Sequence, residues 1–244
     1  MSDRFTVALS AAALASVAFL AACGSDATEP NEIANTRFVN ASATTSSISA
    51  TNEGRVVASG LAFQNTNQPS SCSTVEHGGD EEVKFTLGGT TNEIGSVKAE
   101  FIAQSNYSVV FYAPNTIAVY PDIFTAPPSG QNALRFINAT GSAGDVYVTV
   151  PATNPVTPVT GSPNVANLGS NSVSGFSSGT APGGTFNTYP NGNTRIRLFN
   201  VGSQVNPRAD FTISGLPSNR VATVVLTAPS ATGATGFLIT VCGS

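Results

Sequence analysis

Two short stretches hold residue types that could do chemistry. Gly175-Phe176-Ser177-Ser178-Gly179 reads G-x-S-x-G, the pattern of a nucleophilic serine on a strand-to-helix turn, which needs an acid and then a histidine further along the chain. The chain's one histidine, His77, lies upstream, and no helical pattern follows Gly179. Glu76, His77, Asp80, Glu81 and Glu82 cluster around Gly78-Gly79. Such oxygens could approach a calcium ion, or His77 with a carboxylate could begin a zinc site. The acids are not at the alternating positions of a calcium loop, and one imidazole is a poor start for zinc. The expectation is a solvated hairpin tip with no metal, no cofactor and no catalytic residue.

Three cysteines carry more information. Cys23 ends an uncharged run from Thr6 to Ala22 and is followed by the polar stretch Gly24-Ser25-Asp26-Ala27-Thr28-Glu29-Pro30-Asn31. The run is short for a bilayer-spanning helix and suits an export signal. Its end, Leu20-Ala21-Ala22-Cys23, resembles the lipobox of bacterial lipoproteins. That resemblance implies cleavage before Cys23, acylation of its thiol and new amino group, and a lipid bilayer as partner. Several acyl chains give stable anchoring. Gly24 after the cysteine resembles the outer-membrane sorting pattern, so the expected location is the cell envelope, outer membrane favoured over inner. With Cys23 acylated, Cys72 and Cys242 form an even pair in an exported chain. A disulfide between them is expected, with two buried thiols as the alternative.

Composition narrows the class. Charged residues make up 10% of the 244 and the net charge is −4, which argues against a nucleic-acid partner, whose phosphates call for clustered Lys and Arg. Val, Ile, Thr and Phe recur in strand-sized runs divided by Gly, Asn, Ser and Pro, without helical periodicity, so the chain reads as all-β.

Thr36-Arg37-Phe38-Val39-Asn40-Ala41-Ser42 returns as Leu134-Arg135-Phe136-Ile137-Asn138-Ala139-Thr140. A self-match at this distance means two duplicated units, each opening on a strand whose Phe faces a core and whose Arg and β-branched residue face the other way. Asn-Ala-Ser/Thr then opens a turn. Further strands are expected at Val56 to Phe63, Glu82 to Leu87, Gly95 to Ala103 and Ser108 to Tyr112, and Asp145-Val146-Tyr147-Val148-Thr149-Val150 is the clearest alternation. Residues 151–158 read as an exposed Pro-spaced loop, and 169–185 as a Gly-Ser connector.

These features place a signal peptide at 1–22, a lipidated tether at 23–35, and two tandem immunoglobulin-like antiparallel β-sandwich domains at 36–128 and 129–244. The repeated Arg-Phe-β-branched-Asn-Ala-Ser strand, the D-V-Y-V strand and the closing Thr-Val-Val strand resemble domain of unknown function 4397, a β-sandwich family of bacterial surface and secreted proteins. Ser46-Ser47-Ile48-Ser49-Ala50 stands where the first unit should carry the D-V-Y-V strand. The resemblance implies a fold and a location without an activity.

The expected role is binding, adhesion or envelope architecture, with an envelope protein or a glycan as partner. A periplasmic carrier of a small ligand is the alternative, and a hydrolase a more distant one. Glycan sites usually stack an aromatic ring on the sugar. The chain has no Trp, Phe38, Phe101, Phe136 and Phe211 suit a core, and Tyr120-Pro121 and Tyr189-Pro190 are the aromatics expected in loops. Asn40, Asn106 and Asn138 match the glycosylation acceptor pattern but are read as turn formers.

Overall fold

The structure, a computed structural model, describes residues 33–66, 72–149, 159–174, 184, 186–216, 218–229, 233 and 235–242. All regular structure among them is strand. The first unit runs through β1 (Ile33–Asn40), β2 (Ser47–Asn52), β3 (Arg55–Ala62), β4 (Asn65–Thr66), β5 (Ser73–Glu76), β6 (Gly78–Leu87), β7 (Glu93–Phe101), β8 (Asn106–Ala113) and β9 (Thr116–Pro121). The second runs through β10 (Gln131–Ala139), β11 (Gly144–Thr149), β12 (Val165–Leu168), β13 (Ser172–Val173), β14 (Asn187–Pro190), β15 (Gly192–Asn200), β16 (Ala209–Leu216), β17 (Val221–Thr227) and β18 (Gly236–Thr240).

The two units repeat one topology. In the first, β1 pairs with β4, β5 and β8, and β8 with β9, while β3, β2, β6 and β7 form a second sheet. In the second, β10 pairs with β13, β14 and β17, and β17 with β18, while β12, β11, β15 and β16 form the other sheet. Ser47–Asn52 therefore occupies the place of the D-V-Y-V strand despite its different sequence. It keeps what that place requires, apolar side chains on alternate residues: Ile48 and Ala50 enter one core as Val146 enters the other. One pairing per unit departs from the antiparallel expectation. β1 runs parallel to β8, and β10 to β17, because the chain visits the other sheet in between and returns by a long crossover.

Alternation along β1 sends Phe38 into the first core, with Ile48, Phe85, Phe101, Val109 and Phe111. On β10 it sends Phe136 into the second, with Val146, Ile196, Leu198, Val224 and Leu226. The opposite faces of these two sheets are not left to water. Val39, Val110, Tyr112 and Tyr120 pack on Ile137, Val173, Val225 and Ile239, making four stacked sheets with those of β1 and β10 inside. Strand β17 is accordingly buried at every residue, the continuous apolar pattern of a strand covered on both faces.

The contact between the units has approximate two-fold symmetry. Val39 and Ile137, Val110 and Val225, and Tyr120 and Ile239 are equivalent positions in the two units. Gln64 and Asn171, both in the left-handed region at φ 60° and 52°, each reach across. The Gln64 amide donates to Thr227 Oγ1 at 2.7 Å, and the Asn171 carbonyl accepts from the Tyr120 hydroxyl at 3.2 Å. At the other end, Cys72 before β5 meets Cys242 after β18. In the place related by the two-fold, Phe186 before β14 meets Phe124 after β9, with ring centroids 6.0 Å apart.

Candidate functional site

Cys23 and its flanking residues, the Ser177 motif at 175–179 and the Pro-spaced segment 151–158 lie outside the described residues. The acidic cluster around His77 is not a hairpin tip. Glu76 ends β5 and Gly78 begins β6, strands of different sheets, so His77 marks the step from one sheet to the other. Asn52, 1% exposed, pins that step: its Oδ1 accepts from the Glu76 amide at 3.0 Å and its Nδ2 donates to the Glu82 carbonyl at 3.3 Å. Among the described residues no group of three or more His, Cys, Asp and Glu side chains could hold a metal ion.

Cys72 and Cys242 are bonded, with Cα atoms 6.0 Å apart, inside the usual disulfide range. Tyr120 and Tyr189 are not loop aromatics. Both lie in strands and are buried, and the prolines after them end strands at sheet edges, where a missing N–H costs no ladder bond.

Asn40 and Asn138 are fully buried plugs. Asn138 Nδ2 donates to the carbonyls of Ser142 and Leu168 at 2.8 and 3.0 Å, while its Oδ1 accepts from the Thr140 amide at 3.1 Å. Asn40 does the same with Thr45, Leu61 and Ser42. The amide nitrogen that a glycan would need is thus committed to the fold. Asn138→Ala removes these bonds and leaves buried carbonyls unsatisfied, at about 2–4 kcal/mol. Urea unfolding of this variant should show that loss.

Two arrangements of polar side chains stand out. The first lies between the units. Arg135, with its side chain fully buried, donates from Nη2 to Asp122 Oδ1 and to Ser108 Oγ, from Nη1 to the Pro121 carbonyl at 3.1 Å, and from Nε to Thr223 Oγ1 at 2.8 Å. Its guanidinium carbon lies 4.8 Å from the Phe186 ring centre, and the Ser108 hydroxyl donates to the Asp122 carboxylate at 3.0 Å. A serine beside an aspartate here is no nucleophile, because both are buried and the hydroxyl proton is held by the carboxylate. The network fixes the two units to each other.

The second arrangement covers the outer face of the sheet containing β15. Arg195, Arg197 and Phe199 alternate with the core residues Ile196 and Leu198 and so share that outer face. Strand register sets Tyr147, Arg197 and Asp210 in one row, and Thr149, Arg195 and Thr212 in the next. Tyr147 meets Phe199 edge-on at 5.5 Å, and the Arg197 guanidinium lies 5.9 Å from the Phe199 ring centre. Arg195 donates from Nε to Asp210 Oδ1 at 2.7 Å and from Nη2 to Oδ2. That bidentate bond raises the Arg195 pKa, whereas burial and then the neighbouring Arg195 charge lower that of Arg197. Val159 packs on Tyr147 and Phe199, and Gln204 Nε2 donates to Tyr147 Oη at 3.2 Å and to the Gly161 carbonyl at 2.8 Å. The run Thr194-Arg195-Ile196-Arg197-Leu198-Phe199 carried the sign of this face in its alternation.

Residues 34–149, a span containing the whole first unit and the first two strands of the second, match the family model described as Domain of unknown function (DUF4397). This segment carries a DUF4397-like β-sandwich. The DUF4397-like pattern reaches the second unit's Arg135-Phe136 strand and its D-V-Y-V strand, as the repeat requires. No curated protein matches the chain. Among solved structures, a carbohydrate-binding module, CBMbc (family CBM26) from Eubacterium rectale Amy13K in complex with maltoheptaose, is 12% identical, with 85% of this chain and 96% of that chain covered at a TM-score of 0.26. A likeness at that score carries no functional argument.

Proposed function

We propose that this chain is a non-catalytic binding module of a bacterial cell envelope, held in the outer membrane by an acylated Cys23. The observation that carries the reading is the bond between Cys72 and Cys242, because disulfides form and persist in oxidising compartments outside the cytosol. It agrees with the uncharged export run from Thr6 to Ala22 and the Leu20-Ala21-Ala22-Cys23 ending. A binding role is further supported by two units locked together through a buried polar network whose charged groups, Arg135 and Asp122, are used in packing.

The test is the intact mass of the membrane-extracted protein, before and after reduction, in wild type and in Cys23→Ala. The expected mass is that of residues 23–244 plus acyl chains, lost in the variant. A full-length mass, or an unacylated secreted chain, would overturn the anchor.

A further inference from the structure

The duplication supplies an internal comparison. What a sandwich needs in order to fold is common to both units, so a feature found in one alone has another origin. Register makes Ser108 and Thr223 equivalent, hence Tyr120 and Ile239, and three residues further on Ile123 and Cys242. Cys242 is 2% exposed and held in the disulfide. Ile123 is 64% exposed. The first unit thus shows an apolar side chain to solvent where the second has a buried link.

A second exposed isoleucine stands at the same end. Ile102, 55% exposed, opens the connection from β7 to β8, and its amide donates to Tyr107 Oη at 2.9 Å. Tyr107 is in register with Pro121, and the Asp122 amide donates to the Asn106 carbonyl at 2.7 Å, so Ile123 continues β9 past the start of β8. Alternation carries Ile117 and Val119 on the core-facing side, with Pro121 and Ile123 after them. Both isoleucines therefore lie beyond the end of the first core, at the corner between β7 and β9. The chain enters the unit at this corner, where the Gln104 amide of the β7–β8 connection donates to the Ile33 carbonyl at 2.8 Å. Charged residues at this end are mostly acidic: Glu53, Glu76, Asp80, Glu81 and Glu100 against Arg55 and Lys98.

We propose that the lipid surface holding Cys23 is also touched directly by this corner, with Ile102 and Ile123 entering the zone between headgroups and acyl chains. The inference rests on the reading of Cys23 as the anchor. At roughly 3.5 Å per residue the chain from Cys23 to Ile33 reaches at most about 35 Å, so the end of the unit where it enters is the end kept at the bilayer. Tethering turns the contact into an intramolecular event at high effective concentration. Apolar burial too small to recruit a free protein then suffices to hold an orientation. The surplus of carboxylates favours a zwitterionic lipid over an anionic one, whose surface potential would repel it. The β6–β7 turn lies at the other end of β7, nine residues and about 30 Å away, and is left clear for a partner.

The chain has no Trp, so Ile123→Trp supplies a single reporter. The acylated full chain is reconstituted in phosphatidylcholine vesicles, plain or brominated on the acyl chains. Emission of Ile123→Trp should be blue-shifted in the plain vesicles and lost in the brominated ones, whereas Thr91→Trp in the β6–β7 turn should keep its emission in both. An Ile123→Trp chain that floats with the vesicles but is not quenched, or equal quenching of Thr91→Trp, would overturn the proposal. So would an unquenched Ile123→Trp chain that cross-links into dimers, which would assign the corner to a second copy. If the Trp variant does not fold, amide exchange on the wild-type chain decides instead: residues 102–105 and 122–124 should be protected on vesicles relative to Cys23→Ala free in solution, and equal exchange would overturn it. Should the chain prove unacylated, the anchor reading fails, and coupling Cys23, the one cysteine outside the disulfide, to a maleimide lipid lets the same quenching decide this contact by itself.

Discussion

Asp122→Ala is expected to lower the unfolding free energy by about 3–5 kcal/mol, the usual cost of removing one partner from a buried ion pair. The size follows from what stays behind. Arg135 has a fully buried side chain and no route to water, so the variant leaves a guanidinium without its carboxylate between two sheets. The Ser108 hydroxyl, which donates to both Asp122 oxygens, loses its acceptor as well. Exchanging both members for apolar residues, Asp122→Leu with Arg135→Met, should recover most of the loss, because the desolvation of two charges disappears with them. Urea unfolding of the three chains checks this. A single variant within about 1 kcal/mol of wild type would mean that the network is not closed in solution.

The same carboxylate gives a pH dependence. Burial pushes the Asp122 carboxyl up, offset only in part by Arg135, the Ser108 hydroxyl and Arg37. A carboxyl raised in the folded state holds its proton to higher pH than in the unfolded chain. The proton that Asp122 holds in the fold thus adds stability that is fully present below the unfolded value of about 3.9 and is lost as pH rises through the folded value, over and above the pairing with Arg135 that remains when the carboxyl is ionised. Asp122→Asn should remove that part of the profile of urea midpoint against pH.

The second large effect is expected from the disulfide. Cys72 and Cys242 are 170 residues apart in sequence, and closing a loop of that length contributes roughly 5 kcal/mol in the chain-entropy model, with about 2–5 kcal/mol the usual loss when a native bond is removed from a small secreted domain. Cys72→Ser with Cys242→Ser should lose stability in that range while the sheets stay packed, since Val39, Val110, Ile137 and Val225 still meet. Denaturant unfolding with and without reductant, compared with the double variant, measures it. Reduced and oxidised chains of equal stability would contradict the expectation.

The strands and their inward faces were legible because alternation is a local property. Phe38 and Phe136 enter separate cores as their positions implied, and Asn40 and Asn138 make the turns their types favour. Less was legible about what covers the other face. Arg37 and Val39 alternate with Phe38 in a way that fits either solvent or a second sheet, and the near-continuous apolar run Val221-Ala222-Thr223-Val224-Val225-Leu226, which the structure buries on both sides, was read only as a closing strand. The parallel pairings, and the change of sheet at His77, depend on contacts remote in sequence that no local pattern encodes. Tyr120 and Tyr189 looked like loop residues because proline follows them, but proline also ends edge strands.

The bond after β18 also decides how the protein answers a mechanical pull. Residues between Cys72 and Cys242 form a covalently closed ring, which force applied at the chain ends cannot lengthen. A pull on the segment preceding Ile33 can draw out only the chain ahead of Cys72, at most roughly 3.5 Å per residue. It must first shear β1 from β8 along six residue pairs. The second unit, with its arginine face, lies wholly inside the ring and is reached by that force through a sulfur–sulfur link as well as through the backbone of the first.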